Sequence, residues 1–194
     1  VPRVILREHY RCHPLIIGFC NQKFYNNELI VMTPDHGEKA LKLVLTVPGQ
    51  HERDRMNQRQ IDVIKKDVLP GVAAADTEIG VIAPYRNQVY KLKEELNRPE
   101  IDISTVHKFQ GREKDVIVLS TVDDIVTPFS DDPNLLNVAV SRAKKELVVV
   151  ASEMEQPAGS NTGELIDYIR YHNCDVQYSA VSSVFDYLYK QYRD

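Results

Sequence analysis

The 194-residue sequence has no tryptophan and only three cysteines, Cys12, Cys20 and Cys174. An odd number without CxxC spacing excludes the disulfide framework that staples small secreted domains, and it fits a reducing, cytoplasmic setting. A zinc site drawn from Cys12, His13, Cys20, His172 and Cys174 lacks metal-ligand spacing, so free, mostly buried thiols are the simpler expectation and no metal residue is assigned. Long hydrophobic runs are also missing. No stretch approaches the roughly 20 apolar residues that cross a bilayer, and the N-terminus has no signal-peptide core, so no membrane partner is expected. Nor is there a basic surplus: the formal charge is -4. Nucleic acid can then be met only by a local cationic patch.

What is present is an ordinary globular composition, 43% hydrophobic and 27% charged without low-complexity tracts, which predicts a folded chain. The length suits one substantial core. The chain starts at Val1 and enters a dense motif at once, as an excised domain would.

The pattern alternates strand and helix. After Val4-Ile5-Leu6, a helix begins near Pro14 with Ile16, Phe19, Cys20 and Phe24 at helical spacing, and a loop covers 33–39. Leu43, Leu45 and Val47 alternate as a strand, and Ile61, Ile64 and Val68 mark a helix stopping at Pro70-Gly71. Strands are expected at 79–83, 101–105 and 116–122, with a helix carrying Val89, Leu92 and Leu96 after the first. Asp132-Pro133 opens a helix through Lys145 that runs into a strand at 147–151. Beyond 157–163 two more helices are expected, one over Leu165, Ile166 and Ile169, the other with Val184, Phe185, Leu188, Tyr189 and Tyr192 on one face. That aromatic face either packs on the sheet or docks a partner. The pattern is α/β, doubly wound, with a largely parallel sheet.

Open parallel sheets place working residues in loops at the carboxyl ends of strands, and three polar segments are candidates. Residues 104–115 hold one glycine amid many hydrogen-bonding side chains: Gln110 and Glu113 suit a sugar or a water, and Thr105 and His107 suit phosphates. The same polarity also fits a plain solvated loop. In residues 137–145, Arg142 falls beside the buried helix face, where its guanidinium fork could be held rigid for a phosphate. By chemistry alone, an ordinary cation at a helix C-terminus explains it better. In Glu8-His9-Tyr10-Arg11-Cys12-His13-Pro14, Arg11 suits phosphate charge and Tyr10 suits stacking on a ring, yet a surface ion pair and a core aromatic fit as well. A nucleophilic Cys12-His13 pair lacks an orienting third group.

His9-Tyr10-Arg11-Cys12-His13-Pro14, Ala83-Pro84-Tyr85-Arg86-Asn87-Gln88, residues 105–117 and Leu136-Asn137-Val138-Ala139-Val140-Ser141-Arg142-Ala143 resemble motifs IV, IVa, V and VI of superfamily 1 helicases, in the family's order. The resemblance is to the nonsense-mediated-decay RNA helicase group and its bacterial relatives, which carry near-identical Tyr-Arg-x-His-Pro and Gln-Gly-Arg-Glu-Lys-Asp segments. Departures are Cys12 where Met is usual and Val140-Ser141 where Leu-Thr is common. The resemblance covers most of residues 7–151 and implies a RecA-like domain of the P-loop NTPase type, with helices on both faces of the sheet; the domain is read over 1–158, with the helical segments of 159–194 as an extension packed on it.

By that resemblance, Arg142 is the arginine finger, Arg11 a second γ-phosphate arginine, and Gln110, with Gly111, the link between nucleotide state and strand. Tyr10, Gly111 and Glu113 are implied on the nucleotide side, Glu113 at the ribose. Thr105 and His107, assisted by Tyr85, Arg86 and Gln88, are implied on single-stranded DNA or RNA. The P-loop itself is absent: no glycine precedes a lysine, so GxxxxGK[ST] cannot occur, and no Asp-Glu pair offers the Walker-B carboxylates. ATP and Mg2+ are therefore expected mainly on a first RecA-like domain of the same polypeptide. The reading is a helicase or translocase motor domain that is inactive alone; a binding or regulatory module without unwinding is the alternative.

Overall fold

A computed structural model describes residues 7–49, 52–74, 76–109 and 111–181. Six strands, β1 (Leu41–Thr46), β2 (Ile79–Ala83), β3 (Asp102–Thr105), β4 (Lys114–Ser120), β5 (Ala143–Ser152) and β6 (Asp175–Tyr178), form one sheet. Their order is β6-β1-β5-β4-β2-β3, and every neighbouring pair is parallel. Side chains alternate across a strand, so apolar runs feed two cores at once. Leu43, Leu45, Ile117, Leu119, Leu147 and Val149 enter one. Val44, Val116, Val118, Val148 and Val150 enter the other.

Helices α1 (Pro14–Phe24), α4 (Pro133–Val140) and α5 (Asn161–Tyr171) cover the first face. The second face is covered by α2 (Gln58–Val63), which continues through a π-helical turn (Ile64–Val68) into Leu69–Val72, and by α3 (Arg86–Leu96). This is the expected RecA-like α/β architecture. No helix among the described residues is long and apolar enough to cross a membrane.

Local rules explain most boundaries. His13 caps α1 by accepting from the Leu15 amide, with Pro14 in the first turn where a missing N–H is harmless. Asp132 caps α4 on the amides of Asn134 and Leu135. Three expectations change. The helix opened at Asp132 ends at Val140, not Lys145, because Arg142 O takes the Lys114 amide and Lys144 O takes the His13 amide, committing this backbone to the β4–β5 pair inside the sheet and to the start of α1. The helix after β1 runs past Pro70-Gly71, since Pro70 occupies the first turn of its last stretch. The segment from 159, read as helical only, contains β6, which adds to the open edge of β1; four residues are too few to show a periodicity. The helix read over 184–192, like Val4-Ile5-Leu6, lies outside the described residues.

Candidate functional site

The candidate residues separate to opposite ends of the sheet, which corrects the expectation that all three segments sit at carboxyl ends. The connection after β3 explains how. It leaves the carboxyl end as a 3-10 turn (Val106–Phe109), crosses the first face, and re-enters at the amino end of β4. Val106 and Phe109 are buried on the sheet, and the crossover lies so close that a Cβ on Gly80 would stand 2.5 Å from Phe109 Cζ and 2.9 Å from Ile117 Cδ1. At the far end Gly111 has φ +82°, a left-handed turn that favours glycine, and Arg112 is held by Asp102 at 2.8 Å. Gln110, between them, lies outside the described residues.

At the amino end, β4 and β5 begin side by side, with the Lys114 amide donating to Arg142 O at 3.1 Å. Arg11 Nε lies 2.5 Å from Glu113 Oε2. Cys12 ties this segment down: its amide donates to His9 Nε2 at 3.0 Å and its thiol to Ser141 O at 3.3 Å. Burial, and then Arg11, hold His9 below its ordinary pKa, so it stays neutral and able to accept. Burial pushes the Cys12 thiol up to about 12, with Arg11 pulling down, Glu113 pushing up and Arg142 pulling down. The Arg11–Glu113 pair, the Cys12 thiol on Ser141 O and the Lys114 amide on Arg142 O bring these three segments together at one end of the sheet.

Within this cluster Arg142 stands apart. Lys144 and Lys145 are each 3.3 Å from Asp115, Arg112 pairs with Asp102, and Arg11 pairs with Glu113. Arg142 makes no ion pair among the described residues, and its buried Nε has no hydrogen-bond partner. Such an atom costs about 1–3 kcal/mol of desolvation unless something meets it. Tyr10 is 64% exposed, its hydroxyl donating to Glu8, so it is not a core aromatic.

The thiols are free, Cys12 and Cys20 buried and Cys174 half-buried. Burial also raises the Cys20 and Cys174 thiols. None belongs to the one His/carboxylate cluster found among the described residues, His13 with Asp35 and Glu38. His13 Nδ1 accepts from the Leu15 amide, and Nε2 lies 3.3 and 3.4 Å from Asp35 and Glu38 without forming a well-aligned hydrogen bond to either among the described residues. Native titration with Ellman's reagent is expected to reach Cys174 alone, with Cys12 and Cys20 reacting only on unfolding. Rapid release of three equivalents from folded protein would refute this.

At the carboxyl end, Tyr85, Arg86, Thr105, His107, Lys108, Arg55 and Phe129 line a cleft of about 470 Å³ with no carboxylate among its lining residues. Against a net charge of -4 this is a local cationic patch. Tyr85 is nearly buried, stacked on Phe129 with its hydroxyl donating to Asp123 at 2.8 Å. It supports the cleft and does not present a free ring. Val122, a β-branched residue at φ +68°, turns the chain out of β4; the Gln60 side chain accepts from its amide and the Asn57 side chain donates to its carbonyl.

Gln88, expected on the strand, is fully buried. Its Oε1 accepts from the Asn57 amide at 2.8 Å and its Nε2 donates to Ser120 Oγ at 3.1 Å, so it belongs to an internal amide network and cannot reach a ligand. Gln88→Leu is expected to destabilise the fold by roughly 1–3 kcal/mol for each group left unsatisfied, read by urea unfolding. A loss within ±0.5 kcal/mol would return it to the surface role.

Sequence reasoning missed Arg55, Lys108 and Phe129. Arg55 sits on a two-residue hairpin between Glu52–Arg53 and Met56–Asn57 whose Asp54-Arg55 tip carries none of the glycine that flags such turns. Phe129 is a lone aromatic in a polar loop, without periodicity.

A family model described as an AAA domain matches residues 1–154. The DNA polymerase alpha-associated DNA helicase A of Saccharomyces cerevisiae is 37% identical over 144 residues, 69% of this chain and 21% of that protein. A regulator of nonsense transcripts 1 homolog of Neurospora crassa is 32% identical over 181 residues, 76% of this chain and 16% of that protein. The chain thus spans well under a third of either relative. The crystal structure of the C-terminal domain of a possible DNA helicase from Lactobacillus plantarum matches with a TM-score of 0.59 at 16% identity, covering 86% of this chain and 98% of that one, a likeness of fold. With the family model over most of its length and the helicase motifs carried in order on a parallel RecA-like sheet, the chain belongs to the AAA-domain family, as a second RecA-like domain of the superfamily 1 helicase type.

Proposed function

We propose that this domain forms one wall of an ATP site and part of a single-strand binding surface in a DNA or RNA helicase or translocase of the cytoplasm. The observation that carries the reading is Arg142. Its buried Nε, unpartnered among the described residues, lies in the same cluster as Arg11 and Glu113, and a cation so held suits an anion brought by a second domain. The donor set fits a terminal phosphate: Arg142 and Arg11 would hold it, Tyr10 and Glu113 would lie toward the base and ribose, and Gln110-Gly111 would join them to the crossover. ATP with Mg2+, held mainly by a first RecA-like domain, supplies the phosphoryl group whose transfer to water drives the cycle.

Arg142 acts by position, its rigid fork meeting spread charge without reorganising. Arg11 must first leave Glu113, so its ion pair keeps that guanidinium ordered until an anion competes for it. Thr105, His107 and Arg86 face the opposite end of the sheet, and the Val106–Phe109 turn begins the connection between the two ends. Domain closure on nucleotide would then move strand contacts through the sheet itself. Without GxxxxGK[ST] the chain alone is expected to turn over no ATP.

The test is ATP turnover by the complete motor polypeptide, this domain joined to its P-loop domain, with single-stranded DNA and RNA of matched length. Stimulation by one strand names the track. Strand binding with no stimulated turnover would replace the motor reading with that of a binding module.

A further inference from the structure

We propose that Phe129 and Arg55 form a stacking seat for one nucleobase of a bound single strand, built over Tyr85 in the cationic cleft. The inference rests on the strand-binding reading above. The Phe129 ring stacks on Tyr85 at 5.3 Å between centroids and 22° between planes, yet 47% of its surface stays open. One face is therefore used and aromatic surface remains for a ligand.

The seat is rigid before anything binds. Tyr85 is pinned from below by Asp123, and Thr127 lies 3.2 Å from the same hydroxyl. The loop bearing Phe129 is tied by Ser130 Oγ donating to Asp123, by the Thr127 amide donating to Ser130 Oγ at 3.0 Å, and by the Val126 amide donating to Gln156 at 3.0 Å. A preorganised aromatic surface loses little entropy on binding.

Arg55 closes the seat from the hairpin. Asp54 and Arg55 both occupy the left-handed region, at φ +52° and +62°, a conformation that disfavours ordinary side chains and persists only where the surroundings enforce it. Asn87 enforces it by donating to Asp54 O at 2.8 Å, and the guanidinium sits 5.5 Å from the Tyr85 ring centre. With Arg86 and Lys108 it makes the cleft cationic. An aromatic face bordered by cations is the chemistry of a base with its flanking phosphates, and it reads no base edge, so stacking should tolerate any sequence.

The chain's lack of tryptophan makes Phe129→Trp a single fluorescent reporter. Its emission is expected to be quenched by a homopyrimidine strand but not by an abasic strand of the same phosphate count, with binding of both followed by anisotropy of a strand label. Phe129→Ala should weaken the base-bearing strand about 10-fold and leave the abasic strand within about twofold. Equal loss on both strands, or no base-dependent quenching by a strand that binds, overturns the seat and leaves strand binding standing. If the wild-type chain binds neither strand, the seat and the strand-binding reading fail together.

Discussion

Arg142→Ala is expected to lower strand-stimulated ATP turnover by about 10³-fold or more while nucleotide still binds, because a finger arginine acts on charge that develops during transfer and not on the resting nucleotide. The geometry makes this specific to Arg142. Lys145, three residues on, is exposed and paired with Asp115, so Lys145→Ala should leave turnover within about twofold. Arg142→Lys should recover little, since an ammonium offers a point charge where a planar fork is needed. The check is kcat and nucleotide Kd for the three variants of the complete motor. An Arg142→Ala enzyme within tenfold of wild type, or one that loses nucleotide binding in parallel, would assign Arg142 to ground-state binding.

Gly80→Ala should destabilise the domain by about 1–3 kcal/mol, and Gly80→Val by more, as buried small-to-large changes do where neighbours cannot yield. Phe109 is fully buried, so its ring, 2.5 Å from the added Cβ, has no free path out. The crossover would have to lift instead. That would displace His107 at one end and Glu113 at the other, so strand affinity and nucleotide-linked turnover should both fall in whatever fraction stays folded. Phe109→Leu, which removes the ring tip, should cost less beside Gly80→Ala than by itself, a non-additivity measurable by urea unfolding of the four-member cycle. Strict additivity would mean that Gly80 and the crossover do not press on each other.

Gly80 shows where the sequence was silent. In a run such as Ile79-Gly80-Val81-Ile82 the glycine looks like a weak point in a strand, and nothing local shows that a ring 29 residues later must lie on it. The Asp54-Arg55 hairpin is the opposite case: its tip adopts the geometry of a glycine turn without glycine, enforced by Asn87 from another element. Gln88 was misread because a polar side chain beside Arg86 and Asn87 resembles its exposed neighbours until its partners Asn57 and Ser120, both distant in sequence, come into view.

By itself the sequence determined the alternation of strand and helix, the parallel sheet buried on both faces, the helix start near Pro14, the cap at Asp132, and the motif order that marks a second RecA-like domain without a P-loop. These follow from periodicity, end chemistry and missing residue types, which act within a few residues of chain. Tertiary structure alone decided that Arg11, Glu113 and Arg142 meet at the amino ends of β4 and β5, while Thr105, His107 and Arg86 meet Arg55 and Phe129 at the far end. It also sealed Gln88 inside and left the Arg142 Nε buried without a partner among the described residues. Burial and charge pairing depend on which segments the sheet brings together, and that sum over distant contacts is not written in any one stretch of residues.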